Sequence, residues 1–260
     1  MPKKKTKIEW CDYTLNCFWG CYGGCPYCAA RKIARRFGRY IGEKRGYPPS
    51  IIPKMANFEP VFLPDQLAGV SGIKEYSQIF ISEMGDWCGT GVSPADSQQA
   101  LDTMWIYPQH DFITSTKQPQ NLGRFEYPPN CWMGIGVTDR KSAERALTIF
   151  EKLKASIRYL MAEPLLGPPG KLDLTGINLV IIGSQTNPYR PPELKWVEEL
   201  VEAADRAGTA VFIKENLKSL LKPFILESGI GKFGFPIYAK TPYVKLRQEL
   251  RVASYAPVIR

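Results

Sequence analysis

"NCFWGCYGGCPYCAARKIARR" covers Asn16–Arg36, and its reading decides the fold. A short apolar run leads into a glycine-rich loop holding Cys21, Cys25 and Cys28, and a basic amphipathic run follows. Strand, loop and helix in that order form the first βα unit of a chain that repeats the pattern. Gly20, Gly23 and Gly24 let the backbone wrap closely around whatever the three thiols hold.

Downstream, "QIFISEM" (Gln78–Met84), "DFITST" (Asp111–Thr116), "CWMGIGV" (Cys131–Val137), "IRYLMAE" (Ile157–Glu163), "NLVIIGS" (Asn178–Ser184) and "TAVFIKE" (Thr209–Glu215) read as buried strands. Helical patterns alternate with them. "SPADSQQALDTMWI" has Ser93 to cap it, Pro94 at its first position, and Ala100, Met104 and Trp105 on one face. A second helix carries Ala143, Ala146, Leu147, Phe150 and Leu153 on a stripe, and "PPELKWVEELVEAADRAG" turns Val197, Leu200, Val201 and Ala204 inward and stops at Gly208. Alternation of this kind predicts an α/β fold with parallel strands, a full or partial (β/α) TIM-type barrel, with a flat doubly wound sheet as the alternative. The expected organisation is one domain over 1–260, with a long insertion over Gly38–Pro64 and a C-terminal extension over 223–260.

Catalytic groups of such barrels sit at the C-terminal ends of the strands. Ser82, Glu83, Met84, Gly85 and Asp86 end the second strand, Ser115, Thr116 and Lys117 the third, and Thr138 and Asp139 the fourth. Glu163 ends the fifth, Ser184 and Gln185 the sixth, Lys214 and Glu215 the seventh. Helix capping accounts for Thr138 and Asp139. It does not account for Glu163, which precedes Pro164-Leu165-Leu166 rather than a helical pattern.

No apolar run is long enough to span a bilayer, and the N-terminal segment lacks the apolar stretch of a secretory signal, so a cytoplasmic protein is expected. Seven cysteines in a reducing compartment argue against a disulfide framework. A structural zinc site wants four closed ligands, and the one histidine, His110, lies far off at the start of a strand. Three thiolates in one loop suit a [4Fe–4S] cluster with one iron left open for a substrate or cofactor. Cys11, Cys17, Cys88 and Cys131 are not expected to form a second cluster, and Cys17 reads as a buried cysteine of the first strand.

The C-x3-C-x2-C spacing, with Tyr27 before its last cysteine, resembles the signature of the radical S-adenosylmethionine (SAM) superfamily. That resemblance implies a [4Fe–4S] cluster on Cys21, Cys25 and Cys28, with SAM chelating the open iron. It further implies one-electron cleavage of SAM to methionine and a 5′-deoxyadenosyl radical, fed by an external donor of flavodoxin or ferredoxin type. The blocks "KIEWCDYTLN", "IFISEMGDW", "HDFITSTKQPQNL", "PPNCWMGIGVTD", "RYLMAEPLLGP" and "LVIIGSQTNPYR" resemble, in order, those of an uncharacterised phage-associated family with radical-SAM-like cysteines. The chain departs from that family at the cluster, with a shorter first gap and Ala29 where the family has Tyr. More distantly, "FITSTK" is similar to the strand of spore photoproduct lyases that carries a SAM-contacting lysine, which implies that Lys117 meets the SAM carboxylate. Tyr27, Ser82, Glu83, Met84, Gly85, Asp86, Lys117 and Glu163 are the expected SAM-pocket residues, Tyr27 packing near adenine.

Charge points to the substrate. Residues 1–54 hold 12 Lys/Arg against 3 Asp/Glu, and the remaining chain holds 22 of each, so the whole net charge of +9 flanks the thiols. Part is a basic tail (Lys3, Lys4, Lys5, Lys7). Part is the helix "AARKIARRFGRY", expected to turn Ala30, Ile33, Ala34 and Phe37 inward and to line up Arg31, Arg35 and Arg39 outside. A solvated surface explains such charge, and so does a nucleic acid or nucleotide-like anion as substrate. A different reading of the same features is a non-catalytic nucleic-acid-binding protein whose cysteines hold zinc or an Fe–S cluster.

Overall fold

The computed structural model describes residues 6–221, 234–237 and 243–250. Lys3, Lys4 and Lys5, and much of the expected extension over 223–260, lie outside them.

β1 (Tyr13–Leu15) is followed by β2 (Phe18–Trp19), α1 (Ala29–Lys44), α2 (Ile52–Asn57), β3 (Val61–Phe62), β4 (Gln78–Ile81), α3 (Pro94–Ile106), β5 (Asp111–Thr116) and β6 (Cys131–Gly136). Then come α4 (Arg140–Phe150), β7 (Ile157–Ala162), β8 (Leu179–Ile182), β9 (Gln185–Thr186), β10 (Tyr189–Arg190), α5 (Leu194–Ala207), β11 (Ala210–Ile213), β12 (Gly234–Ile237) and β13 (Tyr243–Leu246). A seven-stranded sheet has the order β1-β4-β5-β6-β7-β8-β11. Its neighbours follow one another in sequence, with the small pairs β2–β3 and β9–β10 set aside. A doubly wound sheet reverses its strand order at a switch point, and this one does not. The topology is that of a partial (β/α) barrel. Among the described residues it has seven such strands, where a full barrel has eight.

The chain divides into two compact units. Of the described residues, the first holds those up to Ile135 with Lys152–Ile157, the second Gly136–Glu151 with those from Arg158 onward. In the first, β1, β4, β5 and β6 form parallel ladders, with Leu15 opposite Ile81, Ile79 opposite Phe112 and Ile113 opposite Trp132. These side chains are buried on both faces of the sheet, hence the continuous apolar runs in sequence. In the second, β7, β8 and β11 pair in parallel, and α5 lays Val197, Leu200, Val201 and Ala204 into the core. Gly208 ends α5 in the left-handed conformation, as its position predicts. The edge of β11 is covered: Ile213 N–H donates to Arg247 O (2.8 Å) and Glu249 N–H to Val211 O (2.9 Å).

Several local expectations need correcting. The segment Gly38–Pro64 does not begin outside the first helix, because α1 continues through Gly38 and Gly42 to Lys44. The inner stripe of α1 is Ala34, Gly38 and Gly42, while Ile33 and Phe37 are exposed. A Cβ on Gly38 would lie 2.7 Å from Met55 O, so α1 meets α2 backbone to backbone, and only its smallest residues fit that contact. On α3, Leu101 joins Ala100 and Met104 inside, and Trp105 faces solvent. The first strand is broken: β1 joins the main sheet, and β2 pairs antiparallel with β3. Cys17 lies between them and is fully buried.

Candidate functional site

The thiols sit where the first unit turns from sheet to helix. Cys28 is the N-cap of α1, and its Sγ accepts the Arg31 N–H (3.3 Å). The first N–H groups of a helix have no intrahelical partner, and the Cys28 sulfur takes one of them. Cys21 Sγ accepts from Gly23 N–H (3.1 Å) and from Gln118 Nε2 (3.6 Å). Arg31 donates from Nη2 to Cys21 O (3.2 Å), and its guanidinium lies 5.6 Å from the Phe58 ring centre. Below the loop, Trp19, Met55, Phe58 and Met84 form an apolar bed against which Cys21 and Cys28 pack. At the loop's start Gly20 has φ +85° with Glu59 O 2.1 Å from where a Cβ would be, so no other residue fits.

The end of β4 meets this loop directly. Gly20 and Gly85 form a parallel bridge, Gly20 N–H donates to Met84 O (2.9 Å), and Asn16 Oδ1 accepts the Met84 N–H (3.0 Å). β4 stops at Ile81 because Ser82 turns to φ +70°, a conformation rarely adopted by a residue with a side chain. Its buried Oγ has no hydrogen-bond partner among the described residues. Glu83 is exposed, and Met84 belongs to the apolar bed.

Asp86 fastens the loop after β4 to the end of β5. Its carboxylate accepts from Thr116 Oγ1 (2.8 and 2.9 Å), Lys117 N–H (3.2 Å) and Cys88 N–H (3.3 Å). Burial pushes its pKa up, against those donors and the nearby Lys117 charge. Lys117 places Nζ 5.4 Å from the centre of the Tyr27 ring. Gln118 next to it bridges two loops, its Oε1 accepting Thr90 N–H (3.0 Å) while Nε2 reaches Cys21. Cys21, Tyr27, Gly85, Asp86 and Lys117, far apart in sequence, are thus gathered around one loop. Gln118, Asn16 and Arg31 join them as contacts that sequence reading missed.

The family model described as "Protein of unknown function (DUF5131)" matches residues 5–219. The chain belongs to the DUF5131 family. No curated protein and no solved structure matches it. All the site residues named above lie within the part of the chain that carries the DUF5131 match.

Among the described residues of this DUF5131 chain, no group of three His, Cys, Asp or Glu side chains closes on a single metal ion. A cubane cluster presents its irons at separate corners, so its thiolates stand further apart than the ligands of one ion. The donor set fits such a group: three thiols in one loop, two of them backed by N–H donors, over an apolar bed. Burial pushes the Cys21 thiol up to about 11, with the Gly23 N–H opposing and Asp86, Cys25 and Cys28 adding to it. Metal coordination would reverse this, because a coordinating thiol gives up its proton.

The second unit of the DUF5131 chain has its own strand-end pair. Glu163, after β7, is ion-paired with Lys214, after β11, and both side chains are largely buried. Asn216 Oδ1 accepts the Ser184 N–H (3.1 Å), tying the ends of β8 and β11 together. Asp139 caps α4 with a full capping box, as its sequence position predicts. His110 is buried edge-on to Phe112, in keeping with a structural role.

Proposed function

We propose that the protein is a radical SAM enzyme whose substrate is a nucleic acid or nucleotide-like anion. The observation that carries the reading is the joining of the three-thiol loop to the ends of β4 and β5, through the Gly20–Gly85 bridge, the Gln118–Cys21 contact and Lys117 over Tyr27. Cys21, Cys25 and Cys28 would hold a [4Fe–4S] cluster. With SAM bound there, such a cluster would supply the one-electron chemistry that splits SAM to methionine and 5′-deoxyadenosine. The chain's own residues bind and orient. Lys117 carries the charge for a carboxylate, and the Tyr27 ring beneath it offers a flat face for adenine. The unpartnered Ser82 Oγ is a hydrogen-bonding group buried at the same strand end. Asp86 holds the two strand ends in register. The charge of residues 1–54 favours an anionic substrate, and an external flavodoxin- or ferredoxin-type donor in the cytoplasm would supply the electron.

The test is anaerobic incubation of reconstituted protein with SAM and a reductant. Methionine and 5′-deoxyadenosine should form slowly even without substrate. Lys117→Ala should weaken SAM binding by about 1.5–3 kcal/mol, the worth of a hydrogen bond to a charged group. Intact cluster with no SAM binding would overturn the enzyme reading and leave a nucleic-acid-binding Fe–S protein.

A further inference from the structure

Because α1 turns its glycines inward, three of its larger apolar residues face water, while Ile41 packs against the core. Ile33 is 43 % exposed, Phe37 42 % and Tyr40 59 %, on one stripe at spacings of four and three residues. Scattered exposed apolar residues need no explanation. A periodic stripe does, since that pattern ordinarily marks a buried face. Here one cation lies over one face of each ring. The Arg36 guanidinium lies 4.9 Å from the Phe37 ring centre, and Lys44 Nζ lies 5.5 Å from that of Tyr40. Arg36 and Lys44 adjoin the stripe, while Lys32, Arg35 and Arg39, all exposed, form a separate row about 130° round the helix, and the only acidic residue on the helix is Glu43, 4.0 Å from Arg39. Arg31 does not belong to this row, because its guanidinium is engaged by Cys21 O and Phe58.

We propose that the outer face of α1 is a platform for single-stranded nucleic acid, with Phe37 and Tyr40 stacking against bases and Arg36 and Lys44 holding phosphates. The argument is one of complementarity. Flat apolar rings interleaved with cations match a strand of flat bases interleaved with phosphates, and from Arg36 to Lys44 the helix rises about 12 Å, room for more than one phosphate. Bases in a duplex are stacked on one another and leave nothing for the rings, so the rings select the unpaired strand. An acidic electron-transfer protein would satisfy the cations but make no particular use of two separate ring faces. The proposal deepens the substrate half of the preceding reading and rests on it. α1 begins at Cys28, so the platform leads away from the thiol loop itself.

The test uses the full chain with its cluster and a fluorescent oligothymidylate of about 16 nucleotides, alone and annealed to its complement. Binding is followed by anisotropy against salt. Phe37→Ala and Tyr40→Ala should each weaken single-strand binding roughly five- to a hundredfold, by the same factor at every salt concentration. Arg36→Gln with Lys44→Gln should instead flatten the log–log salt slope by about 0.7 for each phosphate no longer neutralised, and Arg35→Gln with Arg39→Gln, on the separate row, should flatten it less. Deleting residues 1–5 controls for the basic tail. SAM cleavage without substrate is measured on the same samples and should be unchanged in all these variants. Cleavage without oligonucleotide binding overturns the platform alone; binding without cleavage overturns the enzyme reading alone. Ring variants that bind as wild type, or duplex binding tighter than single strand, overturn the platform. So does a loss confined to cluster reduction by a flavodoxin-type donor, which would make this face the donor's dock.

Discussion

Helix α1 buries Ala34, Gly38 and Gly42, whereas α5 buries Val197, Leu200, Val201, Ala203 and Ala204. Both helices are amphipathic in sequence, and both show large apolar residues at helical spacing. In α5 the inner partner is a layer of sheet side chains, so the largest apolar residues go in and their transfer from water supplies the stabilisation. In α1 the inner partner is the backbone of α2, so close approach decides and the smallest residues go in. Apolar periodicity therefore locates a helix face only when a side-chain layer receives it.

The largest expected effect comes from the α5 side. Leu200→Ala should cost about 2–5 kcal/mol in urea unfolding, through reduced burial and the cavity left behind. On α1, Gly38→Ala should also destabilise, by about 1–3 kcal/mol, despite the gain in helix propensity that alanine ordinarily brings. A stabilised Gly38→Ala protein would break the comparison, because the α1–α2 contact could then not be backbone to backbone.

α4 shows what was legible. Asp139 was readable as a cap because a cap bonds within its own turn, and its carboxylate accepts Ser142 N–H (2.9 Å). Asp139→Ala should cost about 0.5–2 kcal/mol near neutral pH. The Ser142 N–H holds the Asp139 pKa below the usual carboxylate value, so the native state favours the ionised form. Its contribution is therefore complete above about pH 4, the unfolded value, and fades as pH falls through the lowered native one. Stability measured from pH 6 down to strong acid should show the gap between variant and wild type closing in that window.

Strands β5 to β8 were legible for the same local reason, as apolar runs bounded by turn residues. The site was legible only in part. Cys21, Cys25, Cys28 and the strand-end Asp86 and Lys117 could be named from local pattern. Gln118 could not, since its contact with Cys21 closes a separation of 97 residues and nothing near Gln118 announces it. Arg31 read as one of a row of surface arginines, and only the folded loop shows its guanidinium on Cys21 O. Ser82 could be named as a strand-end candidate, but not its conformation, because a left-handed backbone at a serine leaves no mark in composition. The smallest predicted effect follows from the α1 face. Ile33→Ala should change stability by less than about 0.5 kcal/mol, as a surface substitution does. A loss of several kcal/mol would restore the inward stripe and remove the exposed platform.

The central claim is that the three thiols of the Cys21–Cys28 loop hold an iron–sulfur cluster. Iron and sulfide are counted after anaerobic reconstitution of the wild type and of the Cys17→Ala, Cys21→Ala, Cys25→Ala and Cys28→Ala variants. The account predicts about four irons in the wild type and in Cys17→Ala, the number for one such cluster, and none in the other three. A colourless wild-type protein carrying zinc, or a Cys21→Ala protein that keeps its iron while Cys17→Ala loses it, would contradict the account.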